Sequence, residues 1–159
     1  MNNYKMLIRS IGSLLEQGRK QAAATVNHVI IKTYWEIGRQ IVEYQQAGKA
    51  RARYGSGLLE KLSGDLAKKY TKGFSVDNLQ NMRKLYLSFR NYETLSRKLS
   101  WSHHCLILRL ENPLARDFYS VETEKERWSV RELNRQINSL LFERLALSKN
   151  KREVLELSK

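Results

Sequence analysis

Proline is almost absent from this sequence, so only Pro113 could interrupt a helix. Cysteine is equally scarce: the lone Cys105 excludes an internal disulfide and a cluster of thiolate metal ligands. No stretch approaches the roughly 18 to 20 consecutive apolar residues that a membrane span needs. The N-terminal segment MNNYKMLIRSIGSLLEQ spaces its apolar residues helically, without the unbroken core of a signal peptide. A cytoplasmic protein without membrane contact is expected. Acidic residues are also in deficit, with 16 Asp and Glu against 29 Lys and Arg and a net charge of +13. Self-repulsion on that scale weakens a compact state unless an acidic partner offsets it, and nucleic acid is the commonest such partner. A basic domain that touches an acidic protein or a membrane surface has the same charge.

What remains is mostly helix former, with Leu, Lys, Arg, Glu, Gln and Ala filling the chain and a hydrophobic content of 42% that suits a folded core. The expected fold is all-α, a multi-helix bundle. A first helix is expected over Tyr4 to Gln17, with Met6, Leu7, Ile11, Leu14 and Leu15 as its stripe and Gly18 ending it. A second runs from Arg19 to Gln46 on Val26, Val29, Ile30, Tyr34, Ile37, Ile41 and Tyr44, widened by Trp35 and Val42. The stretch GKARARYGSG is the clearest break, and Ser56 is placed to cap a helix over Gly57 to Tyr70 with face Leu58, Leu59, Leu62, Leu66 and Ala67. After the turn Thr71 to Phe74, Ser75 caps a helix reaching about Tyr92. A shorter helix spans Trp101 to Leu110. Asn112 with Pro113 opens another to Val121. Ser129 and Glu132 match a capping box for a helix to Leu147, with stripe Leu133, Ile137, Leu140, Leu141 and Leu145.

Helix, short glycine-containing turn, helix is the arrangement of a helix–turn–helix pair, and it falls on SGLLEKLSGDLAKKY, TKGF and SVDNLQNMRKLYLSF. At 100° per residue the second helix gathers Leu79, Met82, Tyr86 and Phe89 on one side, with Leu85 at their edge. Asp77, Gln80, Asn81, Lys84, Ser88 and Asn91 fall opposite, and Arg83 lies near the buried side. Amides can make paired hydrogen bonds to an adenine edge, and lysine can reach guanine acceptors or phosphate. Gln80, Asn81 and Lys84 are therefore the candidates for base contact. Lys49, Arg51, Arg53, Lys69 and Lys72 are the candidates for phosphate contact, and Lys68 stands beside them. Between Lys49 and Lys98 there are twelve basic and four acidic residues, so most of the excess charge sits around this helix. Two amphipathic helices in a plain hairpin with a solvated polar face fit the same spacing, and Asp77 would repel a phosphate.

Catalytic chemistry is harder to place. A nuclease of the PD-(D/E)XK type needs a Glu, Asp or Gln two residues before a Lys to hold Mg²⁺ and assist, and that triplet is missing here. His103 and His104 are adjacent, so they point about 100° apart, whereas zinc-binding helices use i, i+4 spacing. Cys105 sits in the apolar run Cys105 to Leu108, a poor place for a thiolate. His28 within a long helix is expected to be structural, and Glu122, Glu124 and Glu126 to line a solvated loop or helix end. Neither cofactor, metal, catalytic residue nor small-molecule substrate is expected.

Several ordered strings carry a resemblance. They are Tyr34 to Arg39; Arg53-Tyr54-Gly55 with Leu58-Leu59 and Leu62-Ser63; Gly73-Phe74-Ser75 with Asn78-Leu79 and Met82-Arg83; Leu99 to His103; Ala115 to Tyr119; and Trp128 to Leu133. With them the chain resembles the N-terminal domain of the bacterial YhcG family, a domain of unknown function numbered 1016. Members of that family continue into a C-terminal PD-(D/E)XK nuclease-like domain. The resemblance implies a targeting or assembly domain of a nuclease, in DNA processing or defence against foreign DNA, and does not carry catalysis over to this chain; the helix–turn–helix reading makes double-stranded DNA the expected partner. Residues 1–149 are expected to form this domain, as one body or as packed halves 1–92 and 93–149. Residues 150–159 are expected to begin a further helix or linker. The alternative role is protein–protein contact or a homodimer, built on the stripes Val26 to Tyr44 and Leu133 to Leu145.

Overall fold

A computed structural model describes residues 2–46, 57–70 and 72–157. Its regular elements are all helical: α1 (Asn2–Gln46), α2 (Leu58–Tyr70), α3 (Val76–Ser88), α4 (Trp101–Leu108), α5 (Pro113–Glu126), α6 (Val130–Asn138) and α7 (Leu141–Leu157), with a 3₁₀ turn at Tyr92–Thr94. The all-α bundle expected from composition is what forms.

Helix starts follow their capping residues. The Ser75 hydroxyl accepts the Asn78 N–H at 3.2 Å, and the Asn112 side chain accepts the Leu114 N–H at 2.9 Å, just ahead of Pro113. Ser129 and Glu132 close the reciprocal capping box that opens α6. Ser100 opens α4 in the same way with His103.

Helix ends depart from expectation. Gly18 does not divide α1, which runs unbroken for 45 residues. A glycine costs about 1 kcal/mol in a helix interior but stops one only where the chain must turn. Nothing lies within 4 Å of where a Cβ on Gly12 or Gly18 would stand, and helix formers flank both. α3 ends at Ser88, short of Tyr92, because Phe89 leaves helical geometry and its carbonyl accepts the Trp35 indole N–H at 2.7 Å. α5 continues past Val121 to Glu126, until Arg127 adopts a left-handed φ of 53°. The helix expected from Ser129 to Leu147 is broken at Leu140, whose φ is 57°. There the Phe142 N–H leaves the helical ladder and donates to the buried Tyr119 hydroxyl at 3.1 Å. Leu140 and Leu145 accordingly face solvent instead of joining the stripe. α7 then carries through position 150 as one helix, so no new helix starts there.

α3 is the centre of the molecule. It packs most extensively on α1 and also touches α2 and α4. Leu79, Met82 and Leu85 are fully buried, each contributing about 1.5 to 3 kcal/mol of hydrophobic stabilisation. The face that α1 presents to it is Ile31, Trp35, Gly38 and Ile41, with Tyr34 and Ile37 packed at its edge; of the expected stripe Val26, Val29 and Tyr44 are exposed instead. Glycine adds nothing to a hydrophobic pattern, yet Gly38 is where the two backbones cross most closely. A Cβ at that position would collide with the Met82 carbonyl and lie 3.2 Å from the Arg83 nitrogen. A second cluster, Leu99, Ile107, Ala115, Tyr119 and Leu133, joins α4, α5 and α6.

Candidate nucleic-acid interface

The turn between α2 and α3 is built by local chemistry. Gly73 takes a φ of +96°, which a side chain would resist. Its carbonyl accepts the Asn78 side-chain N–H at 3.2 Å, while the Asn78 oxygen accepts the Trp101 indole N–H at 3.4 Å. One amide therefore ties the turn to α4. Tyr34 packs edge-on against Trp101, with ring centroids 4.8 Å apart, and fixes the turn over α1.

Lys68 and Lys69 end α2, Lys72 follows in the turn, and all three are exposed. The Lys69 ammonium lies 5.5 Å from the Tyr70 ring. On α3, Lys84 is exposed, as is Asp77 near the helix start. Gln80 and Asn81 are less open than the helical wheel places them, each being half-buried. Gln80 accepts from the Arg83 guanidinium at 3.5 Å, the outer limit of a hydrogen bond. The Asn81 amide points to α4 and donates to the Cys105 sulfur at 3.6 Å. The wheel misplaces Asn81 because α4 closes that flank, which one helix considered alone does not reveal. The exposed positions of α3 narrow to Asp77, Lys84 and Leu87, with Gln80 half-buried beside them. Lys49, Arg51 and Arg53 lie outside the described residues, as does the Ser56 cap.

Other polar residues settle into structural roles. His103 accepts the Ser100 backbone N–H at Nδ1, 3.2 Å away, so its Nε2 carries the proton and donates to the Trp128 carbonyl at 2.9 Å. Neither nitrogen is left for a metal. His104 is buried, and desolvation pushes its pKa down to about 4, with a smaller contribution in the same direction from His103 and a weak opposing one from the Ser96 backbone. Burial likewise pushes the Cys105 thiol up, away from a reactive thiolate. His28 meets the Tyr92 hydroxyl at 3.0 Å. Glu124 ends up between Ser96, at 2.8 Å, and Lys98, at 3.6 Å. Among the described residues no group of three or more His, Cys, Asp or Glu converges on a metal position, and no helix is long and apolar enough to cross a membrane.

A basic and aromatic patch was not anticipated from the sequence. Arg90 stacks on Tyr86 at 4.8 Å, and Lys32 approaches Tyr92 at 5.9 Å. The i, i+4 spacing of Tyr86 and Arg90 is the signal that could have revealed the first pair.

A helical body with exposed lysines around a capped turn defines a basic α-helical domain. The chain belongs to the DUF1016 N-terminal domain family, whose profile matches residues 10–144. It is similar to a protein of Escherichia coli (strain K12) described as "Putative nuclease YhcG", with 36% identity over 185 aligned residues covering 96% of this chain and 49% of that protein. The chain thus spans about half the length of this relative. No solved structure matches it at a significant level.

Proposed function

We propose that this chain is the DNA-docking module of a nuclease-family protein, non-catalytic in itself, with α2, the turn and α3 acting as a helix–turn–helix-like unit on double-stranded DNA. The observation that carries the reading is that Lys68 and Lys69 at the end of α2, Lys72 in the turn and Lys84 on α3 are all exposed, in a chain of net charge +13. The relative's description as a nuclease supports the choice of nucleic acid as partner. In this reading Lys69 and Lys72 contact phosphates, joined by Lys49, Arg51 and Arg53, and Gln80 with Lys84 faces the base edges. Asn81 reaches a base only by giving up its weak contact with the thiol. The site of action is the cytoplasm.

Fluorescence anisotropy with a labelled duplex tests this directly. Affinity should fall steeply as salt rises, because phosphate neutralisation releases counterions. Replacing Lys72 and Lys84 together with alanine should weaken binding about tenfold and, through the lost phosphate contact of Lys72, flatten the salt slope by about one. Unchanged affinity in that variant rules out this face. A duplex that shows no salt-sensitive binding to the parent chain rules out the function.

A further inference from the structure

From Tyr4 to Val26 every described side chain of α1 is exposed. The helix reaches its packing partners only near Ile31, so its first half stands clear of the body as an arm of roughly 35 Å at 1.5 Å per residue. This arm is not polar. Tyr4 is 68% exposed, Ile8 53%, Ile11 48% and Leu15 60%, and Leu14 beside them is 68% exposed.

Their spacing is regular. Tyr4, Ile8, Ile11, Leu15, Gly18 and Ala22 follow one another in alternating steps of four and three, the repeat of a helix–helix seam. Arg9, Ser13, Glu16, Gln17 and Lys20 fall on the opposite side; among the large apolar residues Met6 lies off the stripe. A bare helix does not hold such a pattern in water for its own sake. Most helical stability in proteins comes from packing, and Gly12 and Gly18 each cost about 1 kcal/mol in an unpaired helix.

We infer that the arm is a dimerisation element, and that its occupant is the arm of a second copy lying antiparallel to it. The pattern is complementary to itself in that one sense. An antiparallel pair centred on Ser13 sets Ile11 against Leu15 at its middle, and on either side Ile8 against Gly18 and Tyr4 against Ala22, bulky residues opposite small ones. A parallel pair sets Ile8 against Ile8 and Gly18 against Gly18, which crowds one layer and leaves the other empty. The twofold relation makes each contact occur twice, as a closed dimer requires. Joining the exposed apolar surface of two arms removes at most roughly 1,200 Å² from water, the lower edge of specific stable interfaces. The assignment stands apart from DNA binding, and either can fail alone.

Sedimentation equilibrium on the whole chain tests it. The parent should be a dimer, and Ile11→Asp with Leu15→Asp should weaken dimerisation at least tenfold, with the thermal unfolding of the body unchanged. Gly18→Leu gives the sharper contrast. In a solitary helix it raises helicity, whereas in the antiparallel pair it clashes with Ile8 and weakens the dimer. In a Cys105→Ala background, Ile11→Cys should form disulfides with Leu15→Cys faster than with itself. A monomeric parent overturns the proposal and leaves the face to some other chain; Ile11→Cys pairing with itself just as readily overturns the antiparallel register.

Discussion

An imidazole sealed away from water makes stability depend on pH. His104 is 1% exposed, and neither ring nitrogen finds a partner in hydrogen-bonding geometry among the described residues. Burial lowers its folded pKa to about 4 from the ordinary 6.5. Between these two values the unfolded chain takes up a proton that the folded chain refuses, so stability falls as pH drops through the window and levels off below it. The total loss is on the order of 3 kcal/mol. Urea unfolding of the parent and of His104→Leu should give curves that converge near pH 7 and separate at pH 5, with the leucine variant more stable there. Parallel pH dependence in the two would show that another group is responsible. At this scale the sequence was a partial guide. It singled out the adjacent His103 and His104, but could not say which imidazole is capped and which is buried without a partner. Side-chain partners distant in the chain, such as Trp128 for His103, decide that.

Helices α1 and α3 meet because a side chain is missing. Gly38→Ala places a methyl group against the Met82 carbonyl, and neither backbone can yield without moving Leu79, Met82 and Leu85 as well. The variant should lose about 2 to 4 kcal/mol in denaturant unfolding, the scale of an overpacked or disrupted core. An alanine at Gly12, which meets nothing, should instead be neutral or mildly stabilising. Equal effects at the two positions would refute the close crossing. Element starts were legible because a cap is a local hydrogen bond: Ser75, Asn112 and Ser129 each stand where their side chains can satisfy a free N–H. Element ends were not, since tertiary bonds set them. Trp35 claims the carbonyl of Phe89 just past the end of α3, and Tyr119 pulls Phe142 out of the ladder between α6 and α7.

The short helix α4 holds the molecule together. Leu108 packs with Ile31, Trp35 and Leu85; Ile107 packs with Tyr119 and Leu133; and Trp101 lies against the cluster of Ile41, Leu79 and Met82. An element shared by every core cannot be removed from one of them alone. Calorimetry should therefore show a single cooperative transition whose van't Hoff and calorimetric enthalpies agree. Two separated transitions would mean that residues 1–92 and 93–149 fold as independent halves. The fold class was legible in the scarcity of proline and the abundance of helix formers, and the charge pointed to the lysines around α3. The close crossing of α1 and α3 was not, because a glycine at the centre of the packed face leaves no hydrophobic mark.

That same crossing makes α1 a lever. Tyr4 lies 34 residues from Gly38, or about 51 Å along the axis. Pivoting the rod by only 10° at its fulcrum would sweep the tip through about 9 Å at that length. The angle at which the two helices cross is thereby magnified into the position of the far end.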